Sequence, residues 1–309
     1  LGGHCIETLM EAFEEAAKDD TPTCFIAYTI KGWGLPLAGH KDNHAGILNA
    51  PQLEGYRDSL NIAPGDEWKP FAGMEDQADL LQRFITDVPF IQKGRRRFTA
   101  DKIDLPTSLP VPESEKISTQ EAFGKILYEL AGDKDSELAR RIVTTAPDVT
   151  QSTNLGGWVN RRGLFARDEK ADTFRSQQIP SSQKWEFKSA GQHFELGIAE
   201  NNLFVMLGAL GLSDSIFGER LFPIGTLYDP FIARGLDALN YACYQDARFM
   251  VVATPAGITL APEGGAHQSI STPMIGMGQP GLTSFEPAYA DELAEIMAWG
   301  FHHMQADDG

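Results

Sequence analysis

The sequence predicts an α/β protein built on doubly wound, mainly parallel sheets. Three observations carry that prediction. Short apolar runs of strand length at 141–145, 221–227 and 248–254 alternate with helical patterns at 197–212 and 230–244, and this alternation makes a parallel sheet covered by helices. Polar or glycine-rich loops follow the apolar runs, which is where ligands sit in open parallel sheets. A Pro- and Arg-containing stretch of little periodicity, 93–116, divides the chain as an interdomain linker.

In chain order, Ile6, Leu9, Met10 and Phe13 recur at helical spacing and predict a helix over 6–18. Thr21-Pro22 interrupts, and Cys24 to Thr29 predicts a short buried strand. A long polar loop covers 31–55 and a second helix covers 77–91. Beyond the linker, Ser118 to Glu121 has capping-box spacing and opens an amphipathic helix to about Leu130. Residues 141–145 start the sheet of a new domain, with 148–154 as the loop at the strand's end. An irregular polar stretch leads to the buried helix 197–212. Strand 221–227, helix 230–244, strand 248–254, glycine-rich loop 262–267 and a last helix over 291–301 complete the pattern.

The chain has 309 residues, 42% hydrophobic and 22% charged, enough for one large or two ordinary globular domains. No apolar run is long enough to predict a membrane span. The net charge of -17 argues against nucleic acid, whose phosphates need clustered Lys and Arg. The basic run Arg95-Arg96-Arg97 reads as a solvated part of the linker. Cys5, Cys24 and Cys243 are odd in number and widely spaced, which predicts neither a zinc site nor a disulfide framework and fits a reducing cytoplasm. Leu1-Gly2-Gly3-His4-Cys5 has neither an initiator Met nor a signal pattern, so the chain is expected to begin partway through a larger protein.

Several residues could carry chemistry. Glu200 lies in an apolar helix, where a carboxylate either faces water at the helix start or is buried with a raised pKa or a partner. His44, near His40, Asp42 and Asn43, could be a metal ligand, a proton carrier or a loop histidine. His267 follows Gly264 and Gly265, which allow close backbone approach to a ligand and equally suit an ordinary turn. Tyr228 and Phe231, where a strand passes into a helix, could stack on a flat ring or pack in a core.

Six segments in order resemble thiamine-diphosphate-dependent enzymes of the single-chain pyruvate dehydrogenase E1 and transketolase type. Thr29-Ile30-Lys31-Gly32-Trp33-Gly34 is similar to the E1 strand end TIKG(Y/W)G, and Asn43-His44-Ala45-Gly46 to the histidine loop that follows it. Ala146 to Ser152 resembles the transketolase element ADLTPS, with Asp148 at its acidic position. Phe194 to Asn201 resembles the element that supplies an activating glutamate, here Glu200. Tyr228 and Phe231 match the aromatic segment beside the pyrimidine ring, and Glu263 to Gln268 resembles GEDGPTHQ and GEGLQHED.

The resemblance implies tandem thiamine-diphosphate-binding-type domains: residues 1–92 as the C-terminal part of a diphosphate-binding domain truncated at its N-terminus, and 117–309 as a pyrimidine-binding domain whose end is missing. It implies thiamine diphosphate and Mg2+ as cofactors. The family's GDG motif occurs nowhere here and is expected upstream of Leu1, which leaves the fragment alone inactive. By resemblance, Glu200 hydrogen-bonds the pyrimidine nitrogen, Asp148 lies against the cofactor, and Tyr228 or Phe231 packs on its ring. His44 and His267 hydrogen-bond a 2-oxo acid. The implied activity is oxidative decarboxylation of pyruvate with acyl transfer to a lipoyl group, in a homodimer that meets a lipoyl-bearing E2 core. Transketolase-like two-carbon transfer between sugar phosphates is the alternative; Asp148-Val149-Thr150 favours it and Asn201-Asn202, where transketolases usually carry His, does not. A non-catalytic dimer partner or scaffold is the third reading.

Overall fold

The computed structural model of the chain describes residues 2–88, 97–168, 170–171, 173–307 and 309. It divides into two compact units, Leu1–Gly94 and Arg95–Gly309.

In the first unit, turns join helices α1 (Ile6–Ala16), α2 (Ala50–Ser59) and α3 (Ala78–Asp87). Helix α2 begins inside the stretch predicted as loop. Asn49 and Gln52 form a reciprocal capping box there and a proline sits in the first turn, so local start signals outweigh a polar composition. The strand predicted at 24–29 does not form. A strand exists only through a ladder with a neighbour, and this unit has no strand among its described residues. Ile26 and Tyr28 accordingly stay exposed, at 80% and 66%. The end of the helix predicted over 77–91, and Arg95 and Arg96 of the basic run, lie outside the described residues.

The second unit holds the predicted parallel sheet. Its strands are β1 (Ile142–Ala146), β2 (Leu164–Phe165), β3 (Phe187–Lys188), β4 (His193–Glu195), β5 (Phe222–Leu227) and β6 (Met250–Ala253), ordered β3-β2-β4-β1-β5-β6. The pairings between neighbouring strands are parallel, with Thr144 opposite His193 and Ile142 opposite Phe222 across β1. Strands β2, β3 and β4 fall in the stretch that reads as irregular, because two or three residues leave no alternation to detect.

The helices are α4 (Thr119–Gly132), α5 (Glu137–Arg141), α6 (Gly156–Arg162), α7 (Thr173–Ser176), α8 (Glu200–Gly211), α9 (Ser213–Phe217), α10 (Leu236–Tyr244), α11 (Thr272–Gly278) and α12 (Ala290–His303). The Ser118 hydroxyl accepts the Glu121 N–H, so half of the predicted capping box opens α4. The Glu121 carboxylate pairs with Lys125 instead of reaching back. Strand side chains alternate between sheet faces. On β5, Phe222 and Ile224 join one core with Phe123 of α4, Trp158 of α6 and Phe301 of α12. Leu227 joins the other core with Leu203 and Leu207 of α8 and Leu239 of α10. The sheet is thus covered on both sides, which defines double winding. Part of the predicted linker belongs to the first core: Ile103 and Leu109 are buried in it. The Gln305 amide receives the Ile103 N–H at 3.1 Å and donates to the Ile103 carbonyl at 2.9 Å. Among the described residues no helix is long and apolar enough to cross a membrane.

Candidate active site

Parallel strands deliver the residues that follow them to one edge of the sheet. Asp148 follows β1, Glu200 follows β4, Tyr228 and Phe231 follow β5, and His267 lies in the loop after β6. The chain leaves β1 for α6 on one face, but leaves β4 and β5 for α8 and α10 on the other. Such a divergence opens a crevice at the carboxyl edge, the usual ligand position in a doubly wound sheet.

Glu200 is the first residue of α8, where the helix dipole favours a negative charge. It is 7% exposed. Its burial has a partner: Arg234 Nη1 donates to Glu200 Oε1 at 3.1 Å. The same guanidinium lies over the Phe231 ring, 3.9 Å from its centroid, so one cation joins the carboxylate to the aromatic face. Tyr228 and Phe231 stack with centroids 5.9 Å apart and planes 28° apart. His267 meets Phe231 edge-on at 5.2 Å and Tyr228 at 6.2 Å. Its Nε2 lies 3.6 Å from Glu263 Oε2. Its Nδ1 is buried without a hydrogen-bond partner, an atom that a bound ligand would satisfy.

Asp148 has φ +64°, the left-handed region that non-glycine residues seldom occupy. Its N–H donates to Glu195 Oε1 at 2.9 Å. Partial burial pushes the Glu195 carboxyl up, but the nearby His193 ring and the hydrogen bonds from the Thr150 hydroxyl and the Asp148 N–H outweigh it and hold the group below its usual range. Asp229, 4% exposed, accepts the Gly257 N–H at 2.9 Å and ties the turn after β5 to the loop after β6. His44 stands in the first unit, exposed, with Nδ1 hydrogen-bonded to Lys31 Nζ.

The structure therefore groups Glu200, Phe231, Tyr228 and His267, and sets Asp148 at the same sheet edge. Sequence reasoning missed Arg234, Glu195, His193 and Asp229. Three of them had a signal. His193 and Glu195 are two apart in a strand, hence on one face. A buried Glu200 also called for a cation, and Arg234 lies three residues beyond Phe231.

The chain has relatives among known proteins. Residues 107–309 match the family model described as the pyruvate dehydrogenase E1 component middle domain. The pyruvate dehydrogenase E1 component of Pseudomonas aeruginosa is 25% identical over 98% of this chain and 36% of its own length. That of Mycolicibacterium smegmatis is 26% identical over 99% of this chain and 35% of its own length. The chain thus spans about a third of these relatives. Among solved structures, a transketolase from Campylobacter jejuni superposes with a TM-score of 0.64 at 17% identity, covering 96% of this chain and 43% of that one. A transketolase from Pichia stipitis gives 0.61 at 15% identity, with the same coverage. At this identity the likeness is one of fold.

Proposed function

Because this chain belongs to the pyruvate dehydrogenase E1 component family through its middle domain, we propose that it is part of a thiamine-diphosphate-dependent enzyme that oxidatively decarboxylates pyruvate and passes the acyl group to a lipoyl carrier. The observation that carries this reading is the meeting of a nearly buried carboxylate, two stacked aromatic rings and a histidine with an unpaired buried nitrogen at the carboxyl edge of the sheet.

These residues fit the pyrimidine end of the cofactor. A carboxylate has two oxygens and several acceptor positions, and Arg234 takes one oxygen of Glu200. Bound thiamine diphosphate supplies the electron sink that decarboxylation requires. Glu200, nearly buried, hydrogen-bonds a ring nitrogen through the oxygen that Arg234 leaves free. Tyr228 and Phe231 present the flat faces against which an aromatic ring packs. His267 donates a hydrogen bond to the substrate and moves a proton on and off it, with Glu263 orienting the ring. Asp148 lies against the cofactor from the β1 side. The part of His44, in the first unit, is proposed on the resemblance of its loop alone. Among the described residues no group of three or more His, Cys, Asp and Glu suits a metal ion, and magnesium rests on the family alone.

We read residues 1–92 as the C-terminal part of a diphosphate-binding domain and 117–309 as a pyrimidine-binding domain. A homodimer is supported by the apolar surface of α8 and α10, where Val205, Tyr241 and Tyr244 stay 57%, 59% and 84% exposed. A cytoplasmic setting and a lipoyl-bearing partner follow from the same reading.

The test uses the full-length protein with thiamine diphosphate and magnesium. Pyruvate-dependent dye reduction is the expected outcome, and Glu200→Gln should lower turnover by roughly 10²–10⁴-fold while cofactor affinity falls much less. Activity confined to xylulose 5-phosphate plus ribose 5-phosphate would move the protein to the transferases. Silence without cofactor binding would favour a scaffold.

A further inference from the structure

Beneath Asp148 lies a chain of side chains that the reaction above does not use. His193 is fully buried in β4. Its Nδ1 is 2.8 Å from Thr144 Oγ1 and its Nε2 is 3.0 Å from Thr150 Oγ1. The Thr150 hydroxyl donates to Glu195 Oε2 at 2.6 Å. A hydroxyl carries a single hydrogen, so Thr150 accepts from His193 Nε2–H. The other carboxylate oxygen, Oε1, accepts the Asp148 N–H at 2.9 Å. The hydrogen bonds therefore run from the imidazole Nε2–H through the Thr150 hydroxyl to a carboxylate whose other oxygen ends on the Asp148 peptide. That peptide precedes a residue in the left-handed region, at φ +64°. Such a conformation persists only where the surroundings over-determine it.

We infer that Glu195, fixed by Thr150 and His193, is the positioning residue that holds Asp148 in its left-handed turn and thereby sets where the Asp148 carboxylate stands in the crevice. Glu195 acts through the backbone of Asp148 and touches neither cofactor nor substrate. The inference rests on the proposed place of Asp148 against the cofactor. The chemistry requires a carboxylate, an acceptor at both oxygens. A glutamine would set an NH2 donor against either the Asp148 N–H or the Thr150 hydroxyl, whose own hydrogen would then lose its acceptor. A threonine at 150 supplies both an acceptor for the imidazole and a donor for the carboxylate, which valine of the same shape cannot do.

The test is a double-mutant cycle in the full-length protein, read by thiamine diphosphate affinity from fluorescence quenching and by kcat and KM. Asp148→Ala and Glu195→Ala are each expected to weaken cofactor binding about tenfold or more, and the double variant no further than the worse single one, because both remove one function. Thr150→Val should reproduce the Glu195→Ala loss and Thr150→Ser should restore affinity; this pair keeps the test open if Glu195→Ala fails to fold. Effects of Asp148→Ala and Glu195→Ala that multiply in the double variant would overturn the inference, as would wild-type affinity in Glu195→Ala. Wild-type behaviour of Asp148→Ala with a defective Glu195→Ala would overturn it too, since Glu195 would then act elsewhere. Wild-type behaviour of both would remove Asp148 from the site and the inference with it, while leaving the Glu200 test untouched.

Discussion

Glu200 shows how one residue type acquires two duties from its surroundings. The Arg234 guanidinium beside it supplies the charge that permits its burial, and the Phe231 face under that guanidinium holds the cation in place. Glu195 is the opposite case, a carboxylate three-quarters covered, with 26% of its side chain exposed, and kept ionised by donors. Its folded pKa lies below the unfolded one, so the stability it contributes is present above the unfolded value, about 4.3. That contribution is lost as pH falls through the lower folded value. The titratable groups facing it are His193, 3.7 Å away on β4, and Asp148 in the loop after β1. Glu195→Gln should therefore flatten the acid limb of a plot of Tm against pH below about pH 4. An unchanged slope there would show that the carboxylate contributes nothing through its charge.

Among the elements, α8 matters most, because it carries Glu200 and crosses β1 between β4 and β5. Its seat depends on a missing side chain. A Cβ at Gly225 of β5 would stand 2.6 Å from Leu207 Cδ1 and 3.1 Å from Leu203 Cδ1, and both leucines are fully buried. The helix must then lift or the leucines leave their rotamers. Gly225→Ala should cost about 1–3 kcal/mol, the usual range for overpacking, measured by urea denaturation. It should also displace Glu200 with the helix and weaken cofactor binding. A cost near zero would mean that α8 yields without strain.

For the whole molecule, both core clusters lie in the second unit. Residues 97–309 should therefore melt cooperatively on their own by circular dichroism. A chain starting at residue 117 loses the buried Ile103 and Leu109 and should be about 3–6 kcal/mol less stable; equal stability would make the intervening segment a mere tether. The sequence by itself determined the α/β class, the longer strands of the second unit and the helices with clear apolar spacing, and it singled out Glu200, His267, Tyr228, Phe231 and Asp148 as candidates, because periodicity and local motif are properties of neighbouring residues. It also marked out His44, whose loop is equally local. Tertiary structure alone decided that 24–29 stays unpaired, that two- and three-residue segments complete the sheet, that Ile103 and Leu109 enter the core, and that Arg234 pairs with Glu200 and Glu195 with the Asp148 N–H. Each of these rests on a partner far away in the chain: a ladder needs a second strand, and a buried charge needs its counter-charge or donors. No local pattern of side chains encodes where such a partner will stand.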